Sequence, residues 1–330
     1  MSETFPALVV QEPGGAFVVE RWPRPQPAAG QVLIKIHVSG VNPLDTKIRA
    51  GQAAHARQPL PAVLGLDGAG TIVAVGEGVD GLREGHEVYG MLGGVGGHPG
   101  TLAELVCVDA QLVARVPCSL SMAEAAALPL GVITAWEGLV DRANVRAGQT
   151  VLIHAGASGV GQMAVQIAIA RGARVFATVS ARKRPVVERL GATPIDYHTT
   201  SVEQYVAEHT GGEGFDVVYD TQGGKTLDDS FLAVKKYTGH AVSCLGWGTH
   251  ALAPLSFRGA TYSGVFTLAP LLTGEGRAHH GEILHRAARL ADTGQLRPVL
   301  HPQTFARDAV DEAHRLVASG AAEGKVVVTL

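Results

Sequence analysis

Residues 151–164 read VLIHAGASGVGQMA, an apolar run followed by a glycine-rich turn and then by the start of an amphipathic segment. Small residues in such a turn let the backbone approach a pyrophosphate, and the free N–H groups at the start of a helix bind its charge. We therefore predict a strand, a turn and a helix that hold a dinucleotide; a tight turn that needs glycine for packing alone is the alternative. The candidate contacts, with their glycines in the variant spacing G-x-x-G-x-G, are Gly156, Ser158, Gly159, Val160 and Gly161.

The chain around this turn alternates short apolar runs with helix-length segments from residue 122 onward. This alternation is typical of a parallel sheet built from βαβ units. We predict a doubly wound sheet whose six strands are residues 150–154, 174–178, 194–196, 216–219, 241–244 and 261–266. The predicted helices are residues 162–171, 183–190, 202–210 and 281–293.

The end of the second predicted strand indicates which cofactor the turn would take. An NAD site usually has Asp or Glu here, whose carboxylate binds the ribose 2′-hydroxyl. This chain instead continues Ser180-Ala181-Arg182-Lys183-Arg184, with one hydroxyl, three cations and no acid. Such a cluster suits the 2′-phosphate of NADP(H). The alternative is an ordinary solvated helix start.

The first third of the chain has a different pattern. Between residues 32 and 116, short β-branched runs are separated by turns rich in Gly and Pro, which indicates a barrel-like unit of β-strands. A further apolar run closes the chain at residues 325–330, after a predicted helix at 308–319. A strand in this position needs a partner, and we expect it in the first β-rich unit.

The length, charge and composition of the chain limit its domain number, its partners and its location. The 330 residues are enough for about two domains. A net charge of −3 shows no basic excess, so no nucleic-acid partner is expected. The cysteines lack a CxxC spacing, the N-terminus lacks a signal-peptide pattern, and polar residues interrupt the apolar stretch 151–170. We therefore expect a cytoplasmic protein without a membrane partner.

Taken together, the chain resembles the medium-chain dehydrogenase/reductase superfamily, in particular its zinc-independent quinone oxidoreductase (zeta-crystallin-like) branch. The resemblance implies an α/β fold: a GroES-like β-rich catalytic domain (residues 1–122 and 296–330) and a Rossmann NADP-binding domain (residues 123–295). The stretches that carry it, besides the glycine turn, are Gly40-Val41-Asn42-Pro43-Leu44-Asp45, Gly65-Leu66-Asp67-Gly68-Ala69-Gly70, Gly85-His86-Glu87-Val88-Tyr89-Gly90, Ala126-Ala127-Leu128-Pro129, Thr134-Ala135-Trp136 and Gly324-Lys325-Val326-Val327.

The resemblance also implies cofactor contacts outside the glycine turn. The 2′-phosphate contacts fall near Ser180, Lys183 and Tyr197, although Tyr197 is alternatively a half-buried loop aromatic. The contacts implied for the adenine side and then for the nicotinamide side are Asp220, Thr221 and Gln222, and Thr134, Leu245, Gly246, Phe266 and Lys325.

No metal is expected. Zinc-dependent relatives carry Cys and a His-Glu pair where this chain has Asn42 and Leu66-Asp67. The group His279, His280, Glu282 and His285 is read as a solvated helix start.

On the substrate side the resemblance implies Asn42 and Asp45, and Asp45 alternatively caps a helix that begins at Thr46. Lys47 replaces a Tyr that relatives often carry; it could donate a proton or bind an anion, or be an ordinary exposed lysine. The expected activity is NADPH-dependent reduction of a quinone or an activated α,β-unsaturated carbonyl. The alternatives are an enoyl or polyketide-type reductase and a non-catalytic NADPH-binding protein. A homodimer is expected, because the last predicted strand would otherwise expose an edge.

Overall fold

The computed structural model describes residues 4–330, which fall into two compact units. The first unit takes the chain as far as Leu130 together with Leu268–Leu330, and the second is Gly131–Thr267. In chain order, strands β1–β16 are Thr4–Val10, Phe17–Pro23, Gln31–Val41, Ala62–Val63, Asp67–Val75, Glu87–Met91, Leu105–Asp109, Val113–Arg115, Thr150–Ile153, Arg174–Val179, Thr193–Asp196, Val217–Asp220, His240–Ser243, Thr261–Gly264, Phe305–Ala306 and Val326–Thr329.

Helices connect these strands. In chain order, α1–α11 are Pro43–Arg49, Met122–Ala126, Pro129–Trp136, Gly159–Ala170, Arg184–Arg189, Val202–Thr210, Lys225–Ala233, Ala253–Ser256, Ala269–Thr273, Arg277–Asp292 and Val310–Ala318. Single turns of 3₁₀-helix are Ala54–Ala56, Ala110–Leu112, Ala181–Lys183 and Arg307–Ala309, and a π-helix runs over Glu137–Arg142.

The second unit contains a six-stranded sheet in the order β11-β10-β9-β12-β13-β14, and every pairing in it is parallel. Val151, Leu152 and Ile153 in the central strand β9 are fully buried, as expected for a sheet with helices on both faces. The six predicted strands and the α/β class are therefore confirmed. Strand β14 is shorter than predicted, because it ends at Gly264 rather than at residue 266.

Helix α4 begins at Gly159, three residues before the predicted start. Its N-cap is Ser158, whose hydroxyl accepts a hydrogen bond from the Gly161 N–H at 3.0 Å. Gly159 and Gly161 therefore lie in the first turn of the helix, whereas Gly156 precedes it. Helix α6 has the predicted bounds, whereas α7 was not predicted, because its polar start conceals the buried Leu227 and Phe231.

The first unit contains a seven-stranded sheet in the order β15-β16-β3-β5-β6-β8, with β7 also paired to β3, and a three-stranded sheet β2-β1-β4. The closing strand β16 runs antiparallel to β3, with Val326 opposite Val41, which confirms its predicted partner. Helix α10 starts four residues before the predicted start and lies in this unit, where the Tyr89 hydroxyl donates to the Leu284 carbonyl. The predicted domain boundaries at residues 122 and 295 stay predictions.

Candidate functional site

The turn between β9 and α4 has no room for side chains at its glycines. A Cβ at Gly156 would lie 2.5 Å from the Cβ of Ala177. A Cβ at Gly161 would overlap the Ala155 carbonyl, with the Ala155 carbon and the Gly156 Cα both at 2.9 Å. The backbone therefore packs on itself, and the start of α4 is left with N–H groups suited to an anion.

His154 ends the β9 side of this turn and was not predicted. Its ring is buried, and its Nδ1 lies 3.2 Å from the Thr178 hydroxyl. Burial lowers the pKa of His154 to about 4, so the ring is neutral at physiological pH. The Thr221 hydroxyl donates to the His154 carbonyl at 2.7 Å, which ties the turn to the loop after β12.

The residues predicted for the 2′-phosphate follow two adjacent strands. Val179 at the end of β10 pairs with Asp196 at the end of β11, so Ser180 and Tyr197 emerge side by side at the carboxyl edge of the sheet. Lys183 ends the 3₁₀ turn after Ser180 and is partly buried. Tyr197 is 53% exposed, so about half of it is covered, as in the alternative of a half-buried loop aromatic.

Asp220 is the predicted adenine-side residue at the end of β12, and its carboxylate is fully buried. It accepts hydrogen bonds from the N–H groups of Gln222 and Gly223 at 2.9–3.0 Å and from the Ser243 hydroxyl at 2.6 Å. These bonds shape the loop between β12 and α7. The buried Asp220 carboxylate therefore holds the backbone of this loop in position.

The predicted nicotinamide-side residues of this unit lie near the ends of β13 and β14. Leu245 and Gly246 follow β13, and a Cβ at Gly246 would overlap the Tyr262 hydroxyl. Phe266 follows β14 and is 42% exposed. Thr134 in α3 is buried, and its carbonyl accepts a hydrogen bond from the Tyr219 hydroxyl at 2.7 Å.

Thr134 also belongs to a short polar chain that the sequence did not reveal. The hydroxyls of Thr134 and Thr267 lie 3.0 Å apart, and the Thr267 hydroxyl lies 2.9 Å from a carboxylate oxygen of Glu137. Both threonines are 6% exposed, whereas Glu137 is half-buried. Since these residues are up to 133 positions apart, only the fold brings them together.

In the first unit, Asn42, Asp67 and Lys325 form a buried cluster. The Asn42 amide donates to Asp67 at 2.9 Å and accepts from the Lys325 ammonium, which lies 3.7 Å from the same carboxylate. Burial raises the pKa of Asp67 and lowers that of Lys325, because the desolvation of each charge outweighs their mutual attraction. The cluster joins the residue before β16 to the first residue of β5 and to the residue before α1.

Asp45 adjoins this cluster at the start of α1. Helix α1 begins at Pro43, so Asp45 is its third residue and not the cap of a helix starting at Thr46. One carboxylate oxygen accepts from the N–H of Asn42 at 2.8 Å and the other from the N–H of Leu66 at 3.1 Å. Complete burial nevertheless raises the pKa of Asp45 to about 7, because desolvation is the largest contribution. Lys47 lies exposed on the same helix.

This titration gives a testable pH dependence. An ordinary Asp releases its proton near pH 4, whereas folded Asp45 holds it to about pH 7. The raised pKa contributes stability below pH 4 that is lost as the pH rises through 7, on the order of 4 kcal/mol. We expect the free energy of unfolding of the wild type, relative to that of Asp45→Asn, to fall over this range in urea titrations. Asp80→Asn, at an exposed position, is the control, and parallel curves for wild type and D45N would contradict the assignment.

The cluster does not fit zinc. Zinc prefers thiolate, imidazole and carboxylate ligands, whereas here an amide and an ammonium surround one carboxylate. Among residues 4–330, no group of three or more His, Cys, Asp and Glu side chains could hold a metal ion. His279 and Glu282 lie 3.7 Å apart near the start of α10. His280 beside them is buried, so the prediction that this group is solvated is wrong for His280.

Within the described part of the chain, no helix is both long enough and apolar enough to cross a membrane.

Known proteins share this architecture. Residues 28–118 match the family described as alcohol dehydrogenase GroES-like domain, and residues 190–328 match the family described as zinc-binding dehydrogenase. The chain is 37% identical to 2-methylene-furan-3-one reductase of Solanum lycopersicum, over 90% of this chain and 71% of that protein. It is 34% identical to a chloroplastic NADPH-dependent alkenal/one oxidoreductase of Arabidopsis thaliana, over 92% and 73%.

A solved structure is also similar to this chain in sequence and in fold. The crystal structure of an alcohol dehydrogenase superfamily protein from Novosphingobium aromaticivorans is 57% identical, covers 99% of this chain and 100% of its own, and superposes with a TM-score of 0.97. The fold and these similarities show that the chain is an oxidoreductase enzyme that belongs to the medium-chain dehydrogenase/reductase superfamily.

Proposed function

We propose that the protein is an NADPH-dependent reductase of activated α,β-unsaturated carbonyl compounds, including quinones. The observation that carries the proposal is the β9–α4 turn, whose glycines at 156 and 161 exclude side chains beside the N-terminus of α4. The names of the two relatives, a 2-methylene-furan-3-one reductase and an NADPH-dependent alkenal/one oxidoreductase, support this substrate class.

The residues of the second unit suit the cofactor. The start of α4 would hold the pyrophosphate, with Gly159, Val160 and Gly161 in its first turn. Ser180, Lys183 and Tyr197 would face the 2′-phosphate, and Leu245, Gly246, Phe266 and Thr134 the nicotinamide. When bound, NADPH would supply the hydride for the β-carbon of the conjugated carbonyl and would itself be oxidised, so that the substrate would become an enolate. A proton is then needed at the α-carbon or at oxygen.

A conjugated carbonyl suits a site without a metal. Its oxygen delocalises the arriving charge, so hydride transfer needs no Lewis acid, and proximity supplies much of the rate. Oxidation of a plain alcohol would need a group that stabilises the alkoxide. We therefore propose zinc-independent chemistry in which Asn42, Asp45 and Lys325 border the substrate side and Lys47 lies outside it.

Side-by-side assays test the proposal. NADPH consumption is followed by its near-ultraviolet absorbance with an ortho-quinone and with a medium-chain enone, without added metal. We expect turnover of both substrates, and turnover of the quinone alone would limit the proposed substrate class to quinones. NADPH binding without turnover of either substrate would support a non-catalytic protein and overturn the proposal.

Cofactor preference gives a second prediction. Because the end of β10 carries a hydroxyl and nearby cations but no acid, we expect NADPH to bind at least about tenfold tighter than NADH in fluorescence titrations. Ser180→Asp adds a carboxylate that repels the 2′-phosphate, so it should weaken NADPH binding by about tenfold or more while retaining NADH. Ser180→Ala is the control for the lost hydroxyl. Equal affinities of the wild type for both cofactors would contradict the proposed NADP(H) site.

The unpaired edge of the parallel sheet indicates how two copies of the chain could associate. Strand β14 is the last strand of the sheet, and within the described residues its outer edge pairs with no other strand. Exposed edges of this kind associate readily. We propose a homodimer paired along β14, in a cytoplasmic enzyme. Light scattering should give twice the chain mass, and a monomeric mass would contradict the dimer.

A further inference from the structure

We propose that Glu137, Thr267 and Thr134 form a proton relay that delivers the proton accompanying hydride transfer. The inference rests on the proposed reductase function. It assigns roles to Glu137 and Thr267, which sequence reasoning did not identify, and it supplies the acid that the reaction lacks.

The three side chains form a continuous row of hydrogen-bonding groups. The Thr134 and Thr267 hydroxyls are 3.0 Å apart, and Thr267 is 2.9 Å from the Glu137 carboxylate, so each step is within hydrogen-bond range. The two threonines are buried, whereas Glu137 is partly exposed. The chain of groups therefore runs from solvent into the interior.

The position of the buried end of the relay also supports the proposal. In open parallel sheets, ligands bind beyond the carboxyl ends of the strands, and a dinucleotide spans both halves of the sheet. The pyrophosphate turn follows β9, and the basic cluster follows β10 on the adenine side. The nicotinamide half would therefore lie over β12–β14. Thr267 follows β14 by three residues, and the Thr134 hydroxyl at the inner end of the relay lies 3.0 Å from the Thr267 hydroxyl.

The third support is rigidity. The Tyr219 hydroxyl holds the Thr134 carbonyl at 2.7 Å. Gly138, next to Glu137, packs so closely on the Tyr219 ring that a Cβ there would lie 2.7 Å from it. Glu137 also opens the π-helix Glu137–Arg142, and such irregular turns occur frequently at functional sites. The chain of groups is thus held in place by the fold.

The proton balance is complete. Glu137 takes a proton from water and donates it to the Thr267 oxygen, while Thr267 passes its own proton to Thr134. Thr134 then donates to the enolate, which forms the second C–H bond at the α-carbon or an enol that tautomerises. Each turnover consumes one hydride and one proton from solvent, and the three side chains return to their starting state once Glu137 is protonated again.

Thr267→Val tests the relay, because it removes the hydroxyl and keeps the shape of the side chain. With an α-methyl enone we expect kcat to fall by about 100-fold, the solvent deuterium isotope effect on kcat to rise, and the product to lose its single configuration at the α-carbon. NADPH affinity, measured by fluorescence titration, should stay unchanged. Loss of single-faced protonation is a readout that a purely structural role would not produce.

Conservative variants provide matched controls. Thr267→Ser keeps the hydroxyl and should restore both kcat and product configuration. Glu137→Gln keeps a hydrogen-bonding amide that cannot pass a proton, so it should behave like T267V, whereas Glu137→Asp should retain partial activity.

The outcomes separate the two proposals. A wild type that binds NADPH but reduces no conjugated carbonyl overturns the proposed function and the relay with it. A wild type that turns over, with T267V unchanged in kcat, isotope effect and product configuration, overturns the relay alone. Equal losses in T267V and T267S would also overturn it, because they would show a packing role.

Discussion

Lys325→Met should lower the free energy of unfolding by about 3–5 kcal/mol near neutral pH. The Lys325 ammonium is 6% exposed, and it contacts the Asn42 amide oxygen and lies 3.7 Å from the Asp67 carboxylate. Methionine fills a similar volume but leaves Asp67 as a buried charge without its cation. Urea denaturation followed by circular dichroism measures the loss.

The double variant Lys325→Met/Asp67→Asn is the matched control. A buried ion pair replaced by neutral side chains often costs little, because the desolvation of both charges is avoided. We therefore expect the second change to recover most of the lost stability. Because burial raises the pKa of Asp67, the single variant should also lose less stability as the pH is lowered, since protonation of Asp67 removes the unpaired charge. A small pH-independent loss in K325M would show that the cation is not needed to balance Asp67.

The parallel sheet could be predicted because its central strands are short apolar runs bounded by glycine turns. Strand β9 is fully buried over Val151–Ile153, and its short length and the glycines that follow it distinguish such a run from a buried helix. The sequence pattern predicts the start of α4 three residues too late, because glycine is a poor helix former and Gly159 resembles part of the turn. Ser158 carried the missing signal, since serine is a preferred N-cap.

The candidate site also has a part that could be predicted from the sequence and a part that could not. The glycine turn is contiguous in sequence, so its chemistry could be predicted before the fold was known. The contacts of Lys325 with Asn42 span 283 positions, and those of Thr267 with Glu137 span 130. No local pattern encodes such pairs, because side-chain contacts between distant elements depend on strand order and register. Resemblance placed Asn42 and Lys325 near a site but did not indicate that they bond to each other.

Gly161→Ala should weaken NADPH binding by about 100-fold and lower the thermal stability. The added Cβ would meet three backbone atoms, the carbonyl oxygen and carbon of Ala155 and the Cα of Gly156, and no flexible side chain can move aside. The turn would have to open, and its N–H groups would no longer converge on the pyrophosphate. Fluorescence titration of NADPH and calorimetric unfolding with and without cofactor measure the two effects.

Gly264→Ala is the matched control, because a Cβ at this β14 position would have only the Tyr262 hydroxyl nearby, at 3.7 Å, an ordinary contact. It should leave NADPH affinity unchanged. Since a ligand stabilises the folded state according to its concentration relative to Kd, excess NADPH should raise the melting temperature of the wild type and of G264A but hardly that of G161A. If G161A bound NADPH as tightly as the wild type, the β9–α4 turn would not be the pyrophosphate site, and the cofactor would have to bind elsewhere in the second unit.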